Sequence, residues 1–149
     1  MNSYQKRVLT NFITVIIFTV IAVFAIVVFR DWVNRSEATK AMEQLGKTVL
    51  AYRKDRGSVP PESYINDIKE NLIGYARLGD LNYRALWIDY ECTDDEILAY
   101  SKKTSRSLLF GNIYILLRLD GRVEWLKERE FKALLAQQQS PMEVQMMKE

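Results

Sequence analysis

The residues best suited to chemistry lie in an acidic cluster in the middle of the chain, with the sequence DYECTDDE. The cluster contains Asp89, Glu91, Asp94, Asp95 and Glu96. Calcium is bound in proteins by several carboxylate and carbonyl oxygens of one loop, so Asp89, Glu91, Asp94 and Asp95 are candidate calcium ligands. The cluster lacks the spacing of an EF-hand, and charged loop residues usually face water. We therefore expect a solvated acidic turn, with a calcium site as the alternative.

Catalysis by the usual side chains is not predicted. The chain contains no histidine, which removes the commonest general base and the commonest transition-metal ligand. Its single cysteine, Cys92, has no imidazole to activate it and cannot form an internal disulfide. Glycine-rich phosphate-binding motifs are also missing. We expect a protein without enzymatic activity, cofactor or small-molecule substrate. A hydrolase that uses Asp94 and Asp95 as paired carboxylates is the weakest alternative.

The most prominent structural element that the sequence predicts is an uncharged stretch near the start of the chain. Residues 8–29 carry no charge, and within residues 12–29 only Thr14 and Thr19 are polar. A helix over residues 8–29 is about 33 Å long, which is enough to cross the hydrocarbon core of a bilayer. We therefore predict a transmembrane helix. Its predicted anchor residues are Phe12, Ile16, Val20, Phe24 and Val28, with Trp32 at the headgroup layer.

Two other interpretations of the apolar stretch are weaker. A cleaved signal peptide has a shorter apolar run of about 7–15 residues and an Ala-x-Ala-like cleavage site. Ala22 and Ala25 do not have that spacing. A core helix that is apolar on every face needs more protein around it than a domain of this size supplies.

The charge of the chain neither indicates a nucleic-acid partner nor fixes a membrane orientation. The 21 basic and 19 acidic residues give a net charge of +2, and no clustered basic face is evident. Basic residues flank the apolar stretch on both sides, so the positive-inside rule gives no clear preference. These residues are Lys6 and Arg7 before it, and Arg30, Arg35 and Lys40 after it.

The pattern after the apolar stretch is that of an amphipathic helix. Five side chains recur at spacings of four and three, which places them in one stripe. The stripe consists of Ala38, Met42, Leu45, Val49 and Tyr52. We predict one continuous helix from about Val8 to about Lys54, ended by Gly57. The stripe either packs on the domain's own sheet, which is the commoner outcome, or forms a seam for a partner helix.

The rest of the chain predicts a small antiparallel sheet and a closing helix. The clearest feature is a hairpin whose tight turn is Asp120-Gly121. The other predicted elements are a short helix at 64–74, strands at 81–90, 97–101, 112–119 and 122–126, a loop at 102–107, and a helix at 127–138 with Phe131, Leu134 and Leu135 facing inward. The predicted class is α+β, with a basic stub at 1–7, a transmembrane helix at 8–29, a domain at 30–136 and a flexible tail at 137–149.

Four aromatic residues and three methionines leave alternatives open. Tyr83, Trp87, Tyr114 and Trp125 would suit stacking on a carbohydrate or a base, although cross-strand packing within a sheet is commoner. Methionines of the tail would suit contact with a partner or lipid, although a frayed terminus is commoner. These methionines are Met142, Met146 and Met147.

Three short segments carry a family resemblance. Residues 51–60 (AYRKDRGSVP) resemble the end of the long helix in type IV pilin-like proteins and type II secretion pseudopilins, where Tyr, an acid, Gly and Pro precede a variable segment. Residues 119–126 (LDGRVEWL) resemble the late hairpin of pilin-like proteins of planctomycete-type bacteria, which commonly read Asp-Gly-His-Val. Residues 97–100 resemble the preceding strand. The resemblance covers roughly residues 8–135 and implies a structural subunit or tethered accessory of a secretion or pilus-type apparatus.

The resemblance does not extend to the processing site. Members of the family are cut after a Gly that precedes Phe, and they carry a Glu five residues into the mature chain. Residues 1–30 contain neither Gly nor an acid, and Arg122 stands where the family hairpin has His. The resemblance implies a single-pass protein of the inner membrane with its domain outside the cytoplasm, and with protein partners of such an assembly or a second copy of the chain. The alternative is a bitopic adaptor or sensor with a cytoplasmic α+β domain.

Overall fold

One long helix at the amino terminus organises the fold. The computed structural model describes residues 2–89, 91–104 and 111–146. Helix α1 runs over Ser3–Arg56 without interruption. Gly57 ends it in the left-handed conformation with φ of +75°, and its N–H donates to the Arg53 carbonyl oxygen at 2.8 Å. The predicted continuous helix and its glycine cap are confirmed, and the helix begins earlier than predicted.

Short helices and a four-stranded sheet follow α1. In chain order they are α2 (Glu62–Lys69), α3 (Tyr75–Leu78), β1 (Leu81–Tyr83), β2 (Ile97–Thr104), β3 (Asn112–Arg118), β4 (Val123–Lys127), α4 (Glu128–Gln138) and α5 (Pro141–Met146). The sheet order is β1-β2-β3-β4, and each neighbouring pair is antiparallel. The predicted α+β class, with a long helix, a small antiparallel sheet and a short helix after it, is confirmed.

The sheet is covered on both faces, which explains the nearly continuous apolar sequence of β3. Ile115 and Leu117 belong to the core shared with α1, whereas Tyr114 and Leu116 belong to a second cluster shared with α4. On α1 the buried members of the stripe are Ala38, Met42, Leu45 and Val49, while Tyr52 is half-buried. On α4, Phe131 is buried, and Leu134 and Leu135 pack beside it. The stripe of α1 is therefore core of its own domain.

A glycine allows α1 to approach the sheet closely. A Cβ atom at Gly46 would lie 2.9 Å from Leu117 Cδ1 and 3.4 Å from the Gly121 carbonyl oxygen. Gly121 belongs to the predicted hairpin turn and has φ of +89°, a conformation that glycine adopts without strain. Leu50 of α1 contacts the same turn. The turn therefore lies beside the end of α1 that is farthest from the apolar stretch.

Strand β1 is shorter than the alternating pattern over 81–90 predicts. It ends at Tyr83, and Ala85–Trp87 form a 3₁₀ turn. The cause is Arg84, whose backbone N–H still donates to the Leu98 carbonyl oxygen at 2.8 Å while its side chain turns into the protein. Tyr90 lies outside the described residues. A tertiary contact therefore overrides the local strand preference here.

Two other elements differ in extent from the sequence prediction. The predicted loop at 102–107 begins inside β2, because Lys102 pairs with Tyr114 and Lys103 pairs with Ile113 across the sheet. The part of that loop at 105–107 lies outside the described residues. The predicted helix at 64–74 is α2, which begins and ends earlier, and α3 follows after Gly74 where the sequence predicts an alternating pattern. Leu78 of α3 is buried in the core, which accounts for the added helix.

The segment predicted as a flexible tail contains a helix. Within residues 137–149, α5 occupies Pro141–Met146 and the Glu143 side chain is fully buried. The Ser140 hydroxyl accepts a hydrogen bond from the Glu143 N–H at 3.2 Å, so Ser140 caps the helix. Pro141 occupies the first turn, where a missing N–H costs nothing. Met147 lies outside the described residues.

Candidate functional site

The acidic cluster does not converge on one point. Asp94 Oδ1 lies 3.5 Å from Arg53 Nη1 of α1, whereas Asp95 pairs with Arg122 of the hairpin. Within residues 2–89, 91–104 and 111–146, no group of three metal-ligating side chains is arranged to hold an ion. The two carboxylates considered as a catalytic pair are thus held by different arginines. The remaining candidates, Asp89 and Glu91, are exposed.

Arg122 joins the hairpin turn to this acidic segment. Its N–H donates to Asp120 Oδ1 at 2.9 Å, and its guanidinium pairs with both Asp120 and Asp95. Burial alone would raise the pKa of Asp120, but hydrogen bonds from the Arg122 backbone and side chain outweigh it and lower that pKa. Side-chain hydrogen bonds to Asp120 and Asp95 raise the pKa of Arg122. Arg122 therefore fastens two loops together.

Of the four aromatic residues considered as a stacking surface, Tyr114 belongs to a different core cluster from Tyr83 and Trp125. Tyr114 stacks on Phe131 with ring centroids 4.1 Å apart, on the face of the sheet that α4 covers. The Tyr83 hydroxyl donates to the Pro60 carbonyl oxygen at 2.8 Å, and burial, with a smaller effect of Tyr52, raises its pKa. Trp125 packs on the face that α1 covers. These rings therefore do not form one ligand platform.

A buried ion pair that the sequence pattern does not predict holds α5 against the sheet. Arg84 Nε and Nη2 donate to the two carboxylate oxygens of Glu143 at 2.7 and 2.8 Å, and Arg84 Nη1 donates to the Ile97 carbonyl oxygen at 2.7 Å. The Arg84 and Glu143 side chains are 2% and 0% exposed. Because the pair is closed to solvent and its groups are satisfied, its role is structural.

The sequence contains a feature that predicts α5 but not its partner. Residues 140–143 read Ser-Pro-Met-Glu, which combines a capping Ser, Pro at the first helical position and Glu three residues after the cap. This arrangement is typical of a helix start. In the structure the Glu143 carboxylate turns to Arg84. That pairing joins residues 59 positions apart, so no local pattern could predict it.

The first half of α1 is exposed along its most apolar stretch. Its most apolar window of 18 residues has a mean hydropathy of 3.2, and none of that window is buried within the protein. The hydroxyls of Thr14 and Thr19 donate to the carbonyl oxygens of Thr10 and Val15 at 2.8 Å, so both polar side chains are satisfied within the helix. By length and composition, this helix could cross a membrane.

A cleft of about 610 Å³ lies where the apolar half of α1 meets the domain. We call it the junction cleft. Its lining includes the apolar Val28, the rings of Trp32 and Trp125, the cations Arg35, Arg77 and Lys103, and the acid Asp31. Its shape is fixed by two contacts of Trp125: the Arg35 guanidinium lies 4.8 Å from the ring centroid, and Trp125 Nε1 donates to Thr39 Oγ1 at 3.0 Å. The rings and cations thus come from α1, α3 and the sheet.

Only one of the three cations that line the junction cleft has an acidic partner among the described residues. Arg77 Nε lies 3.0 Å from Glu37 Oε2, outside the lining. Arg35 and Lys103 form no ion pair with another described residue. Burial, together with the charge of Arg77, lowers the pKa of Lys103. The described lining of the junction cleft therefore carries more positive than negative charge.

The described residues thus offer two features for contact with other molecules, the apolar half of α1 and the junction cleft beside it. Comparison of the chain with protein-family models, with curated proteins and with solved structures finds no match. These two features and the residues that form them are therefore the basis for the function proposed below.

Proposed function

We propose that this protein is a non-catalytic interaction protein anchored in the inner membrane by a single span over residues 8–29. The observation that carries the proposal is the exposed apolar half of α1, with a mean hydropathy of 3.2 over 18 residues and none of them buried. Leaving apolar surface in water costs about 25 cal/mol per Å². Insertion into a bilayer removes that cost, and the helix satisfies its own backbone groups there.

The continuity of α1 supports an anchor in preference to a cleaved signal peptide. The helix passes from its apolar half into the domain core, where Ala38 and Met42 are fully buried, without a break. A peptidase needs accessible, extended backbone at the cleavage site, and a helix that continues into the core does not offer it. This arrangement supports a span that stays attached to the domain.

Within this class we propose a pseudopilin-like subunit or tethered accessory of a type II secretion or type IV pilus-like apparatus. The resemblance of residues 51–60 and 119–126 supports it, and so does the order of elements, in which the second half of a long helix packs on an antiparallel sheet. The lack of Gly and acids in residues 1–30 favours an accessory with an uncut amino terminus. Its partners are proteins of that apparatus or a second copy of the chain, on the outer side of the membrane.

The experiment is to express the full chain with alkaline phosphatase, which is active only outside the cytoplasm, fused after Glu149. We expect phosphatase activity, resistance to alkaline carbonate extraction and an amino terminus that starts at Met1 or Asn2 by mass spectrometry. Replacing Val20 and Phe24 with arginine should release the protein from the membrane, because a charge at the centre of a span costs about 3 kcal/mol. Ala51→Arg, on the exposed face of the domain half, is the matched control and should leave extraction unchanged.

The second candidate is a bitopic adaptor or sensor with its domain in the cytoplasm. The basic residues on the two sides of the span leave this orientation open, because they give neither side an advantage. A carbonate-resistant protein with a silent phosphatase reporter would support it and overturn the pilin-like interpretation. Extraction by carbonate, or a cut after the span, would overturn both.

A further inference from the structure

We propose that the junction cleft binds the phosphate headgroup of an anionic phospholipid. This inference rests on the membrane anchoring proposed above and adds a ligand to it. The cleft begins where the span ends, because Val28 lines it and Trp32 lies one turn further along α1. Arg35 is about 9 Å beyond Phe29 along the helix axis. That distance, with the reach of a long side chain, places its guanidinium at the headgroup layer.

The sheet presents a cation at the same level. The hairpin turn at Gly121 packs beside Leu50, so the opposite end of the sheet faces the span. Lys103 lies at that end, paired with Ile113, which is itself paired with Lys127. The cleft therefore collects Arg35 from the helix and Lys103 from the sheet on the side that faces the membrane.

The charges of the cleft suit a phosphate. Among the residues that the structure describes, three cations line the cleft with one acid, Asp31, and Glu37 offsets Arg77 from outside. Burial and, to a smaller extent, the charge of Arg77 lower the pKa of Lys103, so the charged form of Lys103 is not fully compensated in the cleft. An anion bound beside Lys103 supplies the missing counter-charge and gains charge-assisted hydrogen bonds.

The apolar and aromatic groups indicate that the anion belongs to a lipid. Trp32 is 64% exposed and its ring centroid lies 6.0 Å from that of Phe29, an arrangement typical of the aromatic belt at a bilayer surface. Val28 provides an apolar floor that leads into the span. A small soluble anion has no part that would contact these groups, whereas a phospholipid carries both a phosphate and chains.

The test uses the full chain with Trp87→Phe, which leaves Trp32 and Trp125 as the fluorophores. The protein is placed in vesicles of phosphatidylcholine with a minor fraction of phosphatidylglycerol. In one set only the phosphatidylglycerol carries brominated chains, and in the other an equal fraction of the phosphatidylcholine does. We expect stronger quenching by the brominated phosphatidylglycerol. The derived preference should fall about fivefold for each cation removed in Arg35→Gln and Lys103→Gln.

Control variants distinguish the loss of a specific headgroup site from a general loss of positive charge and from misfolding. Lys47→Gln with Lys54→Gln removes the same charge from the far half of α1 and should leave the preference unchanged. Lys103→Arg retains the charge and should retain the preference. Equal quenching by the two lipids, or an unchanged preference in Arg35→Gln with Lys103→Gln, would overturn the headgroup site.

Two further arms distinguish the other ways in which the inference could fail. Protein that floats with pure phosphatidylcholine vesicles and resists carbonate, yet shows no lipid preference, leaves the anchor standing and removes the headgroup site. Protein that floats with no vesicles removes both. Inorganic phosphate that changes the tryptophan fluorescence at millimolar concentration in pure phosphatidylcholine would reassign the cleft to a soluble anion.

Discussion

Arg84 and Glu143 meet in a two-point ion pair inside the protein, with both charged groups almost fully shielded from water. The pair ties the end of β1 to α5, and the guanidinium also contacts the carbonyl oxygens of Ile97 and Gln138 and lies 3.9 Å from Glu96 Oε2. A pair closed in this way raises the cost of losing either partner, because the other charge then stays buried alone.

We predict that Glu143→Gln destabilises the domain by about 3–5 kcal/mol. The substitution preserves shape but removes the carboxylate that binds the Arg84 guanidinium at two points, and it leaves only Glu96, whose Oε2 lies 3.9 Å from Arg84 Nη1, as a counter-charge. Thermal unfolding of the full chain in a nonionic detergent measures the effect, and Glu91→Gln, at an exposed position, is the control. The double change Arg84→Met with Glu143→Leu should recover much of the loss, since apolar side chains replace buried ion pairs without penalty. A loss no larger than that of the control would show that α5 is not held by this pair.

Two glycines with similar backbone angles should respond differently to alanine. Gly57 has φ of +75° and open space around a Cβ, so Gly57→Ala should cost about 1–2 kcal/mol of backbone strain. Gly74 has φ of +86°, and its Cβ would lie 2.4 Å from the Glu37 carbonyl oxygen. Gly74→Ala should cost at least a further 1–3 kcal/mol, because the α1 backbone cannot yield easily. Equal melting temperatures for the two variants would contradict the close contact between Gly74 and α1.

The carboxylate of Glu128 should give the domain a pH-dependent contribution to stability. Hydrogen bonds from Lys132 and Asn112, at 2.8 and 2.9 Å, lower the pKa of Glu128 to about 2. A carboxyl group whose pKa is lowered by folding stabilises the protein above its ordinary pKa of 4.5, and this stabilisation is lost as the pH falls toward 2. We expect Glu128→Gln to lower the melting temperature at pH 7, with a smaller difference from the parent at each lower pH below about 4.5.

The control for that series is Glu70→Gln, because Glu70 is exposed. A carboxyl titration of Glu128 by carbon NMR gives the pKa directly. A titration midpoint near 4.5 would contradict the hydrogen bonds of Glu128 with Lys132 and Asn112. A low midpoint, together with equal melting temperatures for Glu128→Gln and the parent at pH 7, would mean that the same contacts also form in the unfolded chain.

We predict only small effects from the acidic cluster. The side chains of Asp94 and Asp95 are 74% and 69% exposed, and exposed ion pairs contribute about 0–1 kcal/mol. Asp94→Asn and Asp95→Asn should therefore shift the melting temperature little, and millimolar calcium should not raise it. Calorimetric titration with calcium is the measurement. Binding heat that disappears in Asp94→Asn would restore the calcium interpretation.

Much of the fold could be predicted from the sequence because these elements are determined by residues that are close together in the chain. The stripe of α1, the Gly57 cap and the Asp120-Gly121 turn each depend on residues a few positions apart. Such patterns report helical or strand periodicity and the conformations that glycine allows. The α+β class followed from their order along the chain.

The features that could not be predicted depend on contacts between residues that are far apart in the sequence. Strand β1 stops early because Arg84 turns inward, and α5 is folded because Glu143 meets that arginine. The junction cleft likewise needs Trp125 and Arg35 to lie together, although they belong to β4 and α1. Periodicity describes which face of an element is apolar, but it does not say which charges will pair across the fold.

The unbroken path of α1 makes the protein mechanically stiff from one end to the other. A 54-residue helix is about 80 Å long, and no proline or left-handed residue interrupts it between Ser3 and Arg56. The domain packs along the second half of α1, so the helix and the domain move together as one rigid unit. A tilt of the first half by about 10° would carry the far end of the second half sideways by about 7 Å, given its length of about 40 Å. Force or rotation applied at one end is thus delivered to the other without a joint to absorb it.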